Sequence, residues 1–153
     1  REYELFKSII SVFMKEINEF TKEPEIYYSP QFEELVYKDE KNEMTISRLS
    51  AGYQSLLWMV MDQAYRVCLL NPELQDRSDV KGIVLIDEID MHLHPKWQWN
   101  IIKALTGTFE NVQFIIATHS PMVISSSKDI NLIFLDEHRQ VSYLADCYGY
   151  TQK

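Results

Sequence analysis

The stretch GIVLIDEIDMHLHP, residues 82–95, decides how this 153-residue chain folds. Four consecutive aliphatic residues at 83–86 lead directly into two adjacent acids, Asp87 and Glu88. A short apolar run that lacks alternation and is rich in β-branched residues predicts a strand covered on both faces, as in a parallel sheet. Periodicity alone leaves a buried helix open, but the shortness of the run favours the strand.

A helix is predicted immediately after this strand. Pro95 opens the segment, and Trp97, Ile101, Leu105 and Phe109 then recur every four residues. Proline in the first turn of a helix sacrifices no hydrogen bond, and the four-residue spacing produces one apolar face. The two acids are therefore expected at the carboxyl end of a buried strand, which is the edge where open α/β sheets bind ligands.

A second strand is predicted in QFIIATHSP, residues 113–121, which is another apolar run that ends in polar residues. Strand, helix and strand form a βαβ unit whose two strands run parallel. His119 is therefore expected at the same sheet edge as Asp87 and Glu88. An isolated histidine is more often structural than catalytic, but an imidazole at this edge can contact a terminal phosphate.

An amphipathic helix is predicted upstream, in LSAGYQSLLWMVMDQAYRVCLLNP, residues 49–72. It begins near Gly52 and stops at Asn71, because proline follows. Ser50 is an ordinary N-cap residue, and capping alone explains a serine at this position. The exposed N–H groups of a helix start also attract phosphate, so a binding role is the alternative.

The order of these motifs resembles the second half of an ABC-type ATPase domain. LSAGYQ is similar to the ABC signature, IVLIDE to a Walker B strand, and His119 to the switch histidine. The match is closer still to the RecF/SMC-like bacterial ATPases, in the group of predicted ATP-binding proteins involved in virulence. Related ATPases occur in anti-phage systems, among them OLD-family nucleases, Septu and some retrons. The resemblance implies an α/β, P-loop NTPase-like fold with a mainly parallel central sheet, flanking helices and a terminal β-hairpin.

The resemblance also implies roles for the residues at the sheet edge. Asp87 would hold Mg²⁺, and Glu88 would orient or deprotonate the attacking water, with His119 as a second catalytic residue. Alternation along a strand would let the two adjacent acids do different work. ATP and Mg²⁺ are the implied ligands.

A second set of residues would act across a dimer. In ABC-type ATPases the nucleotide lies between two protomers, so a homodimer is implied, with the signature residues contacting the ATP phosphate in trans: Ser50, Gly52 and Gln54. The loop after Walker B would make dimer contacts through Asp90, His92 and His94. The sequence departs from the usual signature pattern, because Ala51 replaces a glycine and Tyr53 is inserted before Gln54.

The chain contains no Walker A loop. Its four glycines include none that begins G-x-x-x-x-G-K-[ST]. We therefore expect a single domain, 1–153, that forms the carboxyl-terminal part of a longer ATPase, although a natural short subunit stays open. The expected segments are a helix at 1–22, short strands at 23–48, the signature helix at 49–70, and Walker B, the switch histidine and terminal strands at 82–153.

Composition limits the function classes. With 15 basic and 23 acidic residues the net charge is −8, which argues against a stand-alone nucleic-acid-binding module. No apolar run has transmembrane length, no secretory signal is present, and two isolated cysteines, Cys68 and Cys147, indicate reduced thiols in the cytoplasm. A nuclease or effector is a candidate partner, and nucleic-acid binding by the complete protein stays open.

Two other functions are compatible with the sequence. Asp90, His92 and His94 form an Asp-x-His-x-His pattern whose ligand types suit Zn²⁺ and similar metals, and His119 could join them. A degenerate ATPase kept only as a non-catalytic dimerisation module is the other alternative. The retained pair of acids, Asp87 and Glu88, argues against it, because a scaffold does not need both.

Overall fold

The computed structural model of the chain describes residues 2–138 and 140–143. Four helices lie in this part of the chain: α1 (Glu2–Asn18), α2 (Ala51–Leu70), α3 (Pro95–Thr108) and α4 (Pro121–Ser125). Seven strands accompany them: β1 (Glu25–Ser29), β2 (Glu34–Lys38), β3 (Glu43–Thr45), β4 (Lys81–Ile86), β5 (Asn111–Ile116), β6 (Ile133–Leu135) and β7 (Val141–Tyr143). The fold is α/β, as the sequence predicts.

Helix α1 is central to the core and packs against both α2 and α3. It ends at Asn18, earlier than the predicted boundary at residue 22. The physical reason is Glu19, whose φ of 58° places it in the left-handed region and stops the helical hydrogen bonding. The amide of Phe20 then folds back to donate to the Lys15 carbonyl over 3.0 Å, which closes the last turn.

The three short strands after α1 form an antiparallel sheet in the order β1-β2-β3. The turn between β2 and β3 lies at Asp39–Asn42, where the Asp39 carboxylate accepts the Asn42 amide over 2.7 Å. The short strands predicted at 23–48 are present but end earlier than that range. Strand β3 ends at Thr45, and a 3₁₀ turn, Ile46–Arg48, leads into α2.

Strands β4 and β5 form the predicted parallel pair, and α3 is their crossover helix. Helix α3 buries its apolar residues as the spacing requires, and its carboxyl end is capped from outside. The Arg77 guanidinium donates to the carbonyls of Gly107 and Thr108 over 3.0 and 2.9 Å. A cation at this end of a helix satisfies carbonyls that have no partner within the helix.

The expectation that β4 is covered on both faces is wrong for the part of the chain that the structure describes. One face of the sheet packs on the core, whereas Ile83 is 63% exposed, Leu85 74% and Ile115 52% on the other. Strand residues alternate between faces, so these three side chains form one apolar surface. Both faces of β4 are apolar, as the sequence indicates, but no described residue covers this one.

The described residues end in the predicted β-hairpin, with β6 antiparallel to β7. Cys68 is buried in α2, as its place in the helix pattern predicts, while Cys147 lies outside the described residues. None of the helices in 2–138 has the length and hydrophobicity needed to cross a bilayer.

Candidate nucleotide site

The carboxyl ends of β4 and β5 meet at one edge of the parallel sheet. Ile86 pairs with Ile116, and Ala117 extends the ladder by donating to the Ile86 carbonyl over 2.9 Å. The two strands therefore end level, and the chain continues into Asp87 after β4 and towards His119 after β5. The structure thus places both predicted groups at the same edge.

The segment after β4, residues 87–94, is a tightly wound loop. Glu88 and His92 have φ values of 48° and 63°, and such left-handed backbone is unfavourable for residues other than glycine. Ile89 and Leu93 are buried and anchor the loop to the core. Strand alternation does not separate the two acids as predicted, because β4 ends at Ile86 before either of them. The left-handed turn at Glu88 changes the chain direction instead.

Three side chains at this edge are available for chemistry. Asp87, Glu88 and His119 are exposed. Within residues 2–138 and 140–143 none of the three side chains has a hydrogen-bond or ion-pair partner. Carboxylate oxygens are hard ligands that suit Mg²⁺, which takes one or two of them and keeps several waters. The ligand chemistry of this edge therefore fits the metal that accompanies ATP.

The loop after β5 is held by the loop after β4. The Asp90 carboxylate accepts the Thr118 hydroxyl, and the same oxygen, Oδ1, accepts the His119 amide over 3.3 Å. Ser120 is buried and donates its hydroxyl to Gln98 Oε1 over 2.6 Å. Sequence reasoning missed Thr118 and Gln98 because their partners lie 28 and 22 residues away.

The Asp-x-His-x-His metal site, which the sequence left as an alternative, does not form among the described residues. Asp90 is engaged by the loop after β5, and His94 is the N-cap of α3, where its Nδ1 accepts the Lys96 amide over 3.2 Å. No group of three or more metal-binding side chains occurs in the part of the chain that the structure describes. The tight loop separates Asp90, His92 and His94, since it does not continue the strand as alternation would require.

The start of α2 lies beside the loop after β4. Ser50 is the N-cap, and its Oγ accepts the Tyr53 amide over 3.3 Å. A Cβ placed on Gly52 would lie 3.5 Å from the Trp97 ring and 3.8 Å from the His92 carbonyl oxygen. The helix start and the loop therefore form one continuous surface, although they are far apart in the sequence.

The inserted Tyr53 and the Gln54 that follows it both have clear structural roles. Gln54 Nε2 donates to the carbonyls of Ser47 and Leu49 over 3.1 and 2.7 Å, so its amino group is directed at its own chain. The inserted Tyr53 packs edge-on against Trp97, with ring centroids 5.1 Å apart, and against Tyr37 at 5.6 Å. The insertion thus joins α2 to α3 and β2.

A buried polar group completes this aromatic cluster. The Tyr53 hydroxyl donates to the Asp39 carboxylate over 3.1 Å, and burial beside that carboxylate raises the pKa of Tyr53 to about 12. Burial alone would raise the pKa of Asp39, but hydrogen bonds from Lys41, Asn42 and Tyr53 outweigh it and hold the pKa below its usual value. The Tyr37 hydroxyl is buried and finds no hydrogen-bond partner among the described residues.

The family to which the chain belongs follows from its similarity to known proteins. A family model described as AAA ATPase domain matches residues 2–124, which include α1, the start of α2, the loop after β4 and His119. The chain belongs to this family. This AAA ATPase domain is 40% identical over 135 residues to the Retron Vc95 probable ATPase of Vibrio cholerae serotype O1 biovar El Tor, covering 87% of the chain.

Two further relatives have related names. The domain is 48% identical over 98 residues, 63% of the chain, to the Retron Ec83 probable ATPase of Escherichia coli. It is 31% identical over 134 residues, 88% of the chain, to the Septu protein PtuA of Bacillus mycoides (strain KBAB4). The chain spans 25%, 18% and 17% of the three relatives' own lengths, so it corresponds to a quarter or less of each.

Solved structures show the same fold at low identity. An SMC ATPase structure, from work on ATP-driven dimerization and DNA stimulated activation, aligns over 94% of the AAA ATPase domain and 85% of its own chain, with a TM-score of 0.62 and 16% identity. The SMC head domain from Thermotoga maritima aligns over 93% of the domain and 46% of its own chain, with a TM-score of 0.59 and 17% identity. The predicted SMC-like α/β fold is therefore confirmed.

Proposed function

We propose that this domain contributes the Walker B acids, the switch histidine and the signature helix to an ATP-hydrolysing site. The observation that carries the proposal is a pair of exposed carboxylates, Asp87 and Glu88, which have no partner among the described residues and lie at the sheet edge that also leads to His119. Two adjacent open carboxylates at the carboxyl edge of a parallel sheet, with a histidine on the neighbouring strand end, suit a ligand site, because ligands bind at this edge in open α/β sheets. Membership of an ATPase domain family makes ATP the substrate that fits this edge.

The residues at the edge divide the work in this proposal. Asp87 follows the strand directly and holds Mg²⁺, which neutralises phosphate charge when it is bound. Glu88, at the left-handed turn, orients the attacking water and accepts its proton. His119 contacts the γ-phosphate from the neighbouring loop.

The signature residues act on a nucleotide held by a second protomer. The surface shared by the α2 start and the loop 87–94 supports this, because one partner can contact both at once. At that surface the amides of Ala51 and Gly52 find no acceptor within the described part of the chain, and a helix start of this kind binds phosphate. Ser50 and Gly52 are the principal contacts. Gln54 contributes less, because its amino group is already bound to backbone carbonyls.

Loop contacts complete the dimer in this proposal. His92 lies beside Gly52 and is exposed, so it reaches the partner most readily. The His94 imidazole caps α3, and Asp90 is turned inward, so these two shape the loop. The ATP-driven dimerization named for the SMC relative is the corresponding behaviour there.

The phosphate-binding loop comes from another part of a longer protein. The relatives are four or more times longer than the region matched, and the apolar face of Ile83, Leu85 and Ile115 offers a surface on which a further segment can pack. Covering it would give the sheet the two-sided burial typical of parallel sheets. We accordingly expect that the chain alone hydrolyses ATP negligibly.

The names of the relatives suggest the setting in which the ATPase works. The relatives are two retron probable ATPases and a Septu protein, so we propose a role in anti-phage defence in the cytoplasm, with a nuclease or effector as partner. Nucleic-acid binding would have to reside outside this acidic domain, because a net charge of −8 opposes it.

Two substitutions in the complete gene product test the proposal. Glu88→Gln should block hydrolysis while leaving ATP binding, because an amide keeps the shape but accepts no proton. Asp87→Asn should weaken Mg²⁺-dependent ATP binding, since it removes charge beside the metal. Glu110→Gln is the matched control, because this exposed glutamate precedes β5 at the opposite edge of the sheet. Turnover and nucleotide affinity are measured separately.

Three outcomes contradict the proposal in different ways. Equal loss of nucleotide affinity in both variants would refute the separate roles. Wild-type turnover in Glu88→Gln would remove the Walker B assignment. A wild-type protein that binds ATP and dimerises without hydrolysing it would instead favour the non-catalytic dimerisation module.

A further inference from the structure

The loop that presents His119 is fixed by residues of a different loop. Thr118 Oγ1 accepts the Ser120 amide over 3.0 Å. An amide can only donate, so the hydroxyl proton of Thr118 is left for the Asp90 carboxylate, which it contacts. Asp90 Oδ1 also accepts the His119 amide over 3.3 Å. The donor and the acceptor of each of these three hydrogen bonds are therefore determined, and the series ends on the Asp90 carboxylate, which only accepts.

A second attachment holds the other end of the same segment. The buried Ser120 hydroxyl donates to Gln98 Oε1, and Gln98 Nε2 donates to the Leu93 carbonyl over 2.9 Å. Ser120 Oγ also accepts the Val123 amide over 3.3 Å and so caps α4. Residues 118–120 are thus held by the loop 87–94 and the first turns of α3.

We propose that Asp90 is a positioning residue for His119, and that it couples the loop 87–94 to the switch histidine. The inference rests on the proposed function of His119. The imidazole itself has no described partner, so its location depends on the backbone beneath it. Asp90 is the one described side chain that binds both the His119 amide and the residue before it. Without that acceptor the His119 amide loses its direct hydrogen bond to the loop 87–94, which carries Asp87 and Glu88.

The loop that carries Asp90 also reaches the proposed dimer surface. Asp90 and His92 belong to this loop, and the His92 carbonyl adjoins Gly52 at that surface. Asp90 therefore links the backbone of His119 to a loop that, in the proposed function, contacts the second protomer.

The test uses the complete gene product and steady-state ATPase kinetics. Asp90→Ala should lower kcat by about tenfold or more, because misplacing a reacting group by about 1 Å can cost about a hundredfold, while the KM for ATP stays within about twofold. Asp90→Asn should recover most of the rate, since its carbonyl oxygen still accepts both donors. Asp79→Ala is the matched control, because this exposed acid precedes β4 at the opposite end of the strand.

Thr118 provides an independent pair of variants. Thr118→Val keeps the shape and removes the hydroxyl, so it should reproduce the loss of kcat, and Thr118→Ser should retain the rate. This pair carries the test if Asp90→Ala fails to fold, which thermal melting would reveal.

A double-mutant cycle separates positioning from a general structural effect. In a His119→Ala background, Asp90→Ala should cause no further loss, because the residue it positions is already gone. Residual rates are followed in single-turnover assays with labelled ATP. Equal fractional losses of rate in both backgrounds would overturn the inference. A wild-type kcat in Asp90→Ala would also overturn it. If Asp90→Ala does not fold, a wild-type kcat in Thr118→Val would overturn it instead. Wild-type turnover in both His119→Ala and Glu88→Gln would instead refute the proposed function.

Discussion

Replacing Gly52 with alanine should raise the stability of the domain and lower its ATPase activity. Gly52 lies in the first turn of α2, and its φ is not in the left-handed region. The added methyl would lie 3.5 Å from the Trp97 ring and 3.8 Å from the His92 carbonyl oxygen, which are ordinary contact distances. Glycine is about 1 kcal/mol less favourable than alanine within a helix, so we expect a gain of about 0.5–1 kcal/mol.

The activity should change in the opposite direction. The proposed phosphate contact requires a close approach to the helix start, and the methyl would stand in its way. Loss of one hydrogen bond to a charged group costs about 1.5–3 kcal/mol, which corresponds to about a 10- to 100-fold fall in turnover. Urea unfolding measures the first quantity, and ATPase kinetics of the complete gene product measure the second.

Gly107→Ala is the matched control. Gly107 lies near the end of α3, and a Cβ there would meet only the Glu16 side chain, at 3.8 Å. It should gain stability through the same helix preference without loss of activity. Unchanged turnover in Gly52→Ala would refute the phosphate approach, and destabilisation by more than about 1 kcal/mol would refute the described spacing around Gly52.

Three other predictions concern the dimer and the aromatic cluster. Ser50→Arg should prevent ATP-dependent dimerisation while ATP binding stays intact. Mixing the Ser50→Arg and Glu88→Gln proteins should restore ATPase activity at one composite site per heterodimer. Confirmed heterodimers without ATPase activity would contradict this prediction. Tyr53→Phe loses the hydrogen bond to the Asp39 carboxylate and should lower the free energy of unfolding by about 1–2 kcal/mol. Tyr37→Phe deletes a buried hydroxyl that has no described partner, so the free energy of unfolding should stay equal or rise. Urea unfolding decides the pair, and the opposite order would contradict it. Folding lowers the pKa of Asp39, so its ionised carboxylate stabilises the folded state. This contribution to the free energy of unfolding is present above the unfolded pKa of about 4 and is lost as the pH falls through the folded pKa. Asp39→Asn should therefore flatten this part of the pH–stability curve.

Periodicity explains why so many elements were predictable. The four-residue spacing from Trp97 to Phe109 reports a single buried stripe, and all four of those residues are buried in the structure. Asn71-Pro72 stops α2 as predicted, because proline cannot continue a helix. Local effects of this kind depend on neighbours within one or two turns, so the sequence contains them completely.

Two of the boundaries that failed each depended on a single backbone angle. Nothing in the apolar pattern indicates that Glu19 turns left-handed and ends α1. The apolar pattern likewise does not indicate the left-handed φ of Glu88. Because of this turn the strand does not continue through Asp87 and Glu88, so alternation does not separate the two acids. Such angles are imposed on ordinary residues by packing on either side of them, as the buried Ile89 and Leu93 do for the loop 87–94.

The sequence by itself determined the order of the motifs, the strand that leads into Asp87 and Glu88, and the edge shared with His119. Only the tertiary structure decided how that edge is built. It engaged Asp90 with the loop after β5, made His94 a helix cap and left no three-ligand metal site among the described residues. The physical reason is that a strand end is set by local chemistry, whereas the partner of a loop carboxylate is set by which distant donors the packed core brings within hydrogen-bond reach.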